Sequence, residues 1–253
     1  MRPGLDESMG INIRNDKDLE VAAHAQKAFI FLYPQQDIID WEVKKSDRYY
    51  MRKYKELHGD EGHKDYRELY GHVLNACIDT RYRQEGFTIF FALLDETQVS
   101  DLIDVYPDDK VIYVGMDAQT HRTKNQDGEY SYPDQDHILK QLGEISTLRV
   151  GGFHLHDCVE KLARRAYERG LDVLVDEDLT EIFPMRMVDH NFKVDRYPTF
   201  DPYELLKMDG SISFFKMFMD GRSECPWLYQ YDYRELYRHI PDSKEKDKDK
   251  VGV

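Results

Sequence analysis

Cysteine is scarce in this sequence and scattered through it. Cys77, Cys158 and Cys225 are the three present, and none forms a CxxC pair. That spacing argues against a disulfide framework and against a cysteine zinc site, so reduced thiols are expected. No apolar run approaches the ~20 residues of a membrane-crossing helix, and the opening MRPGLDESMG lacks the hydrophobic stretch of a secretory signal. A cytoplasmic protein with no membrane partner is the expectation. Phosphate-binding glycine loops, GxSxG elbows and HExxH helices are also missing. Positive charge is in deficit: the formal net charge is −14 and the pI about 5.1. A field of that sign repels phosphate backbones, so nucleic acid is not expected as a partner. No internal repeat is visible.

What is present is an alternation of apolar runs and amphipathic segments. AFIFLY (28–33), FTIFFALL (87–94), KVIYVGM (110–116), TLRVGG (147–152) and LDVLV (171–175) read as buried strands. Tyr66, Leu69, Tyr70, Val73, Leu74, Cys77 and Ile78 recur at helical spacing, with Gly86 at the stop position. DCVEKLARRAYERG (157–170) is a second clear helix, and short helices are expected over 99–106 and 136–142. Residues 117–134 read as a long polar loop. Strand–helix alternation with short connections implies an α/β fold: a doubly wound, mostly parallel sheet with helices on both faces. A flexible N-terminal arm (1–15), the α/β domain (16–183), a C-terminal extension (184–240) and a disordered charged tail (241–253) complete the expected organisation. The extension, with PTFDPYELLKM, SISFFKMFM and the alternating aromatics Trp227, Tyr229, Tyr231 and Tyr233, is expected to pack on the domain or on a second subunit, and a homo-oligomer is expected.

Ligands of open parallel sheets bind beyond the carboxyl ends of the strands. The segment RVGGFHLHDCVEKLARRAYERG puts Cys158 there, at the first turn of a helix. Helix N-terminal amides carry partial positive charge, which favours a thiolate and offers oxyanion donors near Leu155 and Cys158. A cysteine so placed is a candidate nucleophile. The alternative is an inert cysteine filling a gap in the core.

Residues 147–180 resemble the isochorismatase-like cysteine hydrolases. Gly152, Cys158 and Val159 have that family's spacing, and Ala163, Ala166, Gly170 and Asp178-Leu179-Thr180 follow in order. A looser likeness runs from Ala28 to Thr180 and includes Arg83-Gln84-Glu85-Gly86 before the second strand. The resemblance implies a three-layer α/β sandwich and a nucleophilic cysteine assisted by an Asp after the first strand and a Lys after a middle strand. Here the first-strand motif reads Tyr33-Pro34-Gln35-Gln36-Asp37, so Gln35 and Asp37 fit while Tyr33 holds the base position. Gly115 stands where the Lys is expected, and Lys124 is the nearest lysine beyond it. Nicotinamidases of the family add an Asp and two His after the second strand. Leu94-Asp95-Glu96-Thr97 supplies only Asp95, so no metal and no other cofactor is expected.

The implied catalytic candidates are Cys158, Asp37, Lys124 and Asp95, with Tyr33, Gln35, Leu155, His154 and Arg122 as substrate contacts. His121, Arg122 and Lys124 form a basic cluster suited to a substrate carboxylate, or else a solvated loop. His154 and His156 form an H-x-H pair that could bind a metal if a carboxylate joined it; the alternatives are helix capping by His156-Asp157 and a His154 facing the sheet interior. Two functions stay open: hydrolysis of a C–N or C–O bond in a small metabolite by a cysteine nucleophile, or a non-catalytic descendant that binds through the same pocket or the extension.

Overall fold

The computed structural model describes residues 26–44, 62–95, 97–180, 192–198 and 221–230. Five strands form one wholly parallel sheet. They are β1 (Gln26–Leu32), β2 (Thr88–Leu93), β3 (Lys110–Tyr113), β4 (Ile145–Gly152) and β5 (Asp172–Thr180), in the spatial order β3-β2-β1-β4-β5. Ala28 to Leu32 are buried without a break. That is the signature of a central parallel strand covered on both faces, and it is why the run reads as continuous rather than alternating. The chain winds outward from β1 through β2 to β3, then returns to the other side of β1 for β4 and β5. Parallel crossovers are right-handed, so this reversal sends the connecting helices to opposite faces of the sheet. The architecture is the doubly wound α/β fold expected from the sequence.

The helices are α1 (Gln36–Lys44), α2 (Gly62–Ile78), α3 (Ala118–Arg122), α4 (Gln135–Gln141) and α5 (Glu160–Glu168). α2 buries Tyr70, Leu74, Cys77 and Ile78, the stripe its spacing announces. It continues into one wide π-type turn, Asp79–Arg83, which brings the Tyr82 ring onto Phe29 at 4.1 Å between centroids. α5 buries Leu162, Ala163 and Ala166. Among the described residues no helix is long and apolar enough to cross a membrane.

Three expectations need correction. Residues 99–106 form turns rather than a helix. The Ser100 and Asp109 side chains accept the backbone N–H groups of Leu102 and Tyr106, and Pro107 follows. Side-chain acceptors of this kind compete with helical hydrogen bonds. The polar loop 117–134 contains α3, capped by Asp117, whose carboxylate accepts from the Thr120 amide at 2.7 Å. Finally, β5 runs on to Thr180 through Asp176, Glu177 and Asp178, all buried.

Those carboxylates are buried because cations reach them. Arg81 lies 3.0 Å from Asp176 and 3.2 Å from Asp178, and the Tyr82 hydroxyl donates to Asp176. Burial nevertheless pushes the Asp176 carboxyl up, against the pull of Arg81. Arg222 pairs with Glu177. Arg81 also donates to the carbonyls of Lys193 at 2.6 Å and Val194 at 2.8 Å. The Val175 amide donates to the Trp227 carbonyl at 2.8 Å. The described parts of the 184–240 stretch are thereby bound to the β5 edge, with Trp227 and Leu228 buried. The N-terminal arm, the segments PTFDPYELLKM beyond its first residue and SISFFKMFM, Tyr231, Tyr233 and the charged tail lie outside the described residues.

At the carboxyl end of the sheet β4 crosses very close to β1. A Cβ on Gly152, whose φ is +105°, would sit 2.2 Å from the Leu32 carbonyl oxygen and 2.5 Å from its nitrogen. Only glycine fits that approach and that torsion. Gly152→Ala is expected to destabilise the protein by about 2–4 kcal/mol or prevent folding, read by urea denaturation. Gly128→Ala, at a similar positive φ with nothing near its Cβ, should cost about 1 kcal/mol.

Candidate active site

The contact between Leu32 and Gly152 joins the two chain segments that build the site. Tyr33 leaves β1 with φ +63°, the left-handed region that aromatic residues rarely occupy. Its amide donates to the Ala92 carbonyl at 2.8 Å, so β2 holds this turn of backbone in place. Beyond Gly152 the chain passes a cis Phe153–His154 peptide into the π-type turn Leu155–Val159, which leads into α5. The His154 carbonyl accepts from the amides of Asp157 at 3.1 Å and Val159 at 3.2 Å. Cys158 is carried on this turn. The site therefore lies between β1 and β4, where the winding direction reverses and where ligands of open sheets bind.

The third element is α3. Asp117 caps it and Asp95, at the end of β2, accepts from its Ala118 amide at 3.1 Å. Thus anchored, α3 brings His121 Nε2 to 3.4 Å from Cys158 Sγ. The other ring nitrogen, Nδ1, lies 2.9 Å from the Ser131 carbonyl. A carbonyl oxygen only accepts, so Nδ1 carries the hydrogen and Nε2 presents its lone pair to the thiol. The imidazole stands between Tyr33 and Tyr132, with ring centroids 5.5 and 5.7 Å away. A nucleophile, a base in reach of it and a group orienting the base together form the arrangement of nucleophilic catalysis.

The electrostatics differ from the expectation of a lowered thiol pKa. Cys158 is only 1% exposed, and burial pushes its thiol up to about 12. The neighbouring Tyr33 hydroxyl and the charge of Lys161 pull the other way, while Asp157 adds to the rise. Desolvation thus outweighs the helix terminus, and the resting group is a neutral thiol. Burial, and then the neighbouring Cys158, raise the Tyr33 phenol well above its usual range, so it keeps its proton. Burial and Asp157 push Tyr132 up to about 12.

A cavity of about 460 Å³ opens beside His121, lined by Tyr33 and His121 together with Trp41, Arg122, Tyr130 and His154, with Cys158 outside its lining. Its size suits a small metabolite. Arg122 spans the rim, 3.2 Å from the largely exposed Asp37 and 5.7 Å from the Trp41 ring. His154 meets Trp41 edge-on at 6.2 Å. The structure thus gathers Cys158, Tyr33, Arg122 and His154 at one locus, with Leu155 opening the turn that carries the cysteine. Other sequence candidates are engaged differently. Asp37 pairs with Arg122, and Asp95 holds α3. Lys124 bridges to the backbone of Tyr130 and lies 5.3 Å from its ring. Gln35 is buried, bridged to Val99. Among the described residues no three His, Cys, Asp or Glu side chains come together as a metal-binding group.

The sequence placed His121 in a cluster suited to a substrate carboxylate and did not identify it as the partner of Cys158. The available signal was its position just beyond the third strand's carboxyl end. Its orientation depends on Ser131, ten residues on in an irregular loop, which no periodicity reveals.

No family model and no curated protein matches the sequence. Among solved structures, the chain is similar to a protein described as a Mar1 ribonuclease from Leishmania major, with TM-score 0.36 and 11% identity over 77% of this chain and 90% of that one. It is also similar to a pyrazinamidase of Pyrococcus horikoshii in complex with zinc, with TM-score 0.35 and 13% identity over 81% of this chain and 99% of that one. Likeness this low assigns no activity.

The raised thiol makes a stability prediction. The folded pKa lies above the unfolded one, so keeping the proton stabilises the fold below pH 9, and this contribution is lost as pH climbs from 9 towards 12. Cys77, also pushed up to about 12 by burial, behaves alike. Between pH 9.5 and 10.5 each thiol should subtract up to about 1.4 kcal/mol from the unfolding free energy. Cys158→Ala should lower the slope of unfolding free energy against pH by one such contribution, measured by urea denaturation at the two pH values.

Proposed function

We propose that this chain is an isochorismatase-like cysteine hydrolase that cleaves a C–N or C–O bond of a small metabolite, with His121 in the base role. The 3.4 Å contact between Cys158 Sγ and a His121 nitrogen whose lone pair faces it carries this reading. The parallel sheet, the switch-point position and the sequence resemblance over 147–180 support it.

Because the thiol is neutral at rest, the nucleophile is made during attack. His121 Nε2 takes the S–H proton as sulfur bonds to the acyl carbon, and the carbonyl π electrons move to oxygen. The Cys158 amide, in the positive end of α5, would face that oxyanion. Collapse expels the amine or alcohol, which takes the proton from His121, and leaves a thioester. Water then adds with His121 again as base, releasing the acid and restoring the thiol. Arg122 at the cavity rim suits a substrate bearing an anionic group.

A second reading rests on the burial of the sulfur: a thiol 1% exposed behind Tyr33 and His121 suits a pocket that binds without reacting. One experiment separates the two. Incubation with small carboxamides and activated esters, followed by intact-mass measurement, should trap an acyl group on Cys158. Turnover should vanish in Cys158→Ala and fall about 10²–10⁴-fold in His121→Ala. Ligands that bind without acylation or turnover, with affinity indifferent to both substitutions, would establish the binding role instead.

A further inference from the structure

We propose that residues 117–132 form a lid that carries the base. Closed in this structure, the lid covers Cys158, and it must swing away to admit a substrate to the sulfur. The proposal rests on the cysteine-hydrolase reading for the role of His121, and it adds a motion that governs access to the same site.

Attack on an acyl carbon needs that carbon at about 3–3.5 Å from the sulfur. Cys158 is 1% exposed and lies outside the cavity lining, so the closed arrangement leaves an acyl group no path to it. Among the groups that cover it is His121, whose Nε2 is 3.4 Å from Sγ. His121 belongs to a segment built as a unit. Its Nδ1 lies 2.9 Å from the Ser131 carbonyl, Lys124 bridges to Tyr130, and the Asn125 amide donates to the Glu129 carbonyl at 2.7 Å. The cavity wall is shared between this unit and the body of the domain. His121, Arg122 and Tyr130 come from the unit, Trp41 and His154 from the body.

The unit is pinned at its ends and loosely held between them. The Ala118 amide donates to Asp95 at 3.1 Å, and Pro133 is buried. None of residues 117–132 is buried, and segments with few buried contacts open at low free energy. The ties across the middle include surface contacts. Arg122 lies 3.2 Å from Asp37, with side chains 38% and 61% exposed, and Lys161 sits 3.9 Å over the Tyr132 ring. Exposed ion pairs contribute little, because water replaces them readily. Opening would carry His121 away together with Arg122, so the sulfur is reachable only while it lacks its base. Closure over a ligand returns the base and excludes water, which completes the catalytic group with the substrate already in place.

The test is the rate of Cys158 alkylation by iodoacetamide at about pH 8.5, the ordinary thiol pKa, followed by peptide mass mapping. The fully buried Cys77 is the reference for unfolding of the whole domain. Asp37 lies outside the cavity lining, so substitutions there act on the tether and leave the sulfur's surroundings alone. Asp37→Arg replaces the ion pair by repulsion and should speed Cys158 alkylation about two- to tenfold, and Asp37→Asn, which only deletes the pair, should give a smaller rise. Reversing the pair in Asp37→Arg/Arg122→Asp should bring the rate below that of either single variant. Cys77 should stay unchanged throughout. The lid is overturned if the Asp37 variants match wild type, if the reversed pair is as fast as the single variants, or if Cys77 rises in step with Cys158. It is also overturned if wild-type Cys158 reacts as fast as in the urea-denatured chain. The acyl-trapping experiment with Cys158→Ala and His121→Ala distinguishes the levels. If no acyl-enzyme or turnover is found while the Asp37 series behaves as expected, the hydrolase reading fails and the lid stands. If both substitutions abolish turnover while the Asp37 series is flat, the hydrolase reading stands and the lid fails.

Discussion

Every group at the site takes its place from the approach of β4 to β1 at Gly152 and Leu32, where the space for a side chain is already occupied by backbone. The Phe153 amide donates to the Leu32 carbonyl at 3.2 Å, and one residue later Tyr33 is bonded to Ala92 of β2. Three strand ends are thereby fixed to one another before any catalytic side chain is considered. Closely packed backbone of this kind transmits little slack. Cys158 and Tyr33 inherit their separation from it, and α3, tied to the end of β2 through Asp95, brings His121 to the same point.

The chemistry then turns on a contest between two effects at Cys158. A helix terminus favours a thiolate by fractions of a kcal/mol at exposed positions and up to about 2 in buried ones. Full desolvation of a charged group costs several. At this depth desolvation wins, so the sulfur rests as a thiol. A buried thiol of this kind becomes a nucleophile only when a base takes its proton, and the His121 nitrogen 3.4 Å away already stands in reach. Burial of the sulfur as a thiol also protects it from unwanted oxidation, because the thiolate is the reactive form.

Much of the architecture was legible because buried parallel strands write themselves as unbroken apolar runs. The five runs at 28–33, 87–94, 110–116, 147–152 and 171–175 correspond to β1 through β5. What escaped was governed by side-chain hydrogen bonds rather than by periodicity. Ser100 and Asp109 hold 99–106 in turns, and Asp117 caps a helix too short to show a pattern. The continuation of β5 was hidden because Asp176-Glu177-Asp178 reads as a solvated acidic end. Its burial depends on Arg81 and Arg222, which are distant in sequence. At the site, Cys158 stood out through its place after a glycine-ended strand, and Tyr33 through its departure from the family motif. His121 did not, since a loop carbonyl decides which of its nitrogens faces the sulfur.

Arg81 has a consequence for how the chain must be made. Its guanidinium is almost wholly enclosed, yet two of its acceptors are backbone carbonyls at 193 and 194, beyond the last strand. During synthesis the sheet is complete in sequence by Thr180, but this cation has no full set of acceptors until the ribosome has released another stretch of polypeptide. A recombinant fragment trimmed at the end of β5 would keep the two carboxylate partners of this arginine but would leave water to take the place of the carbonyls that complete its enclosure.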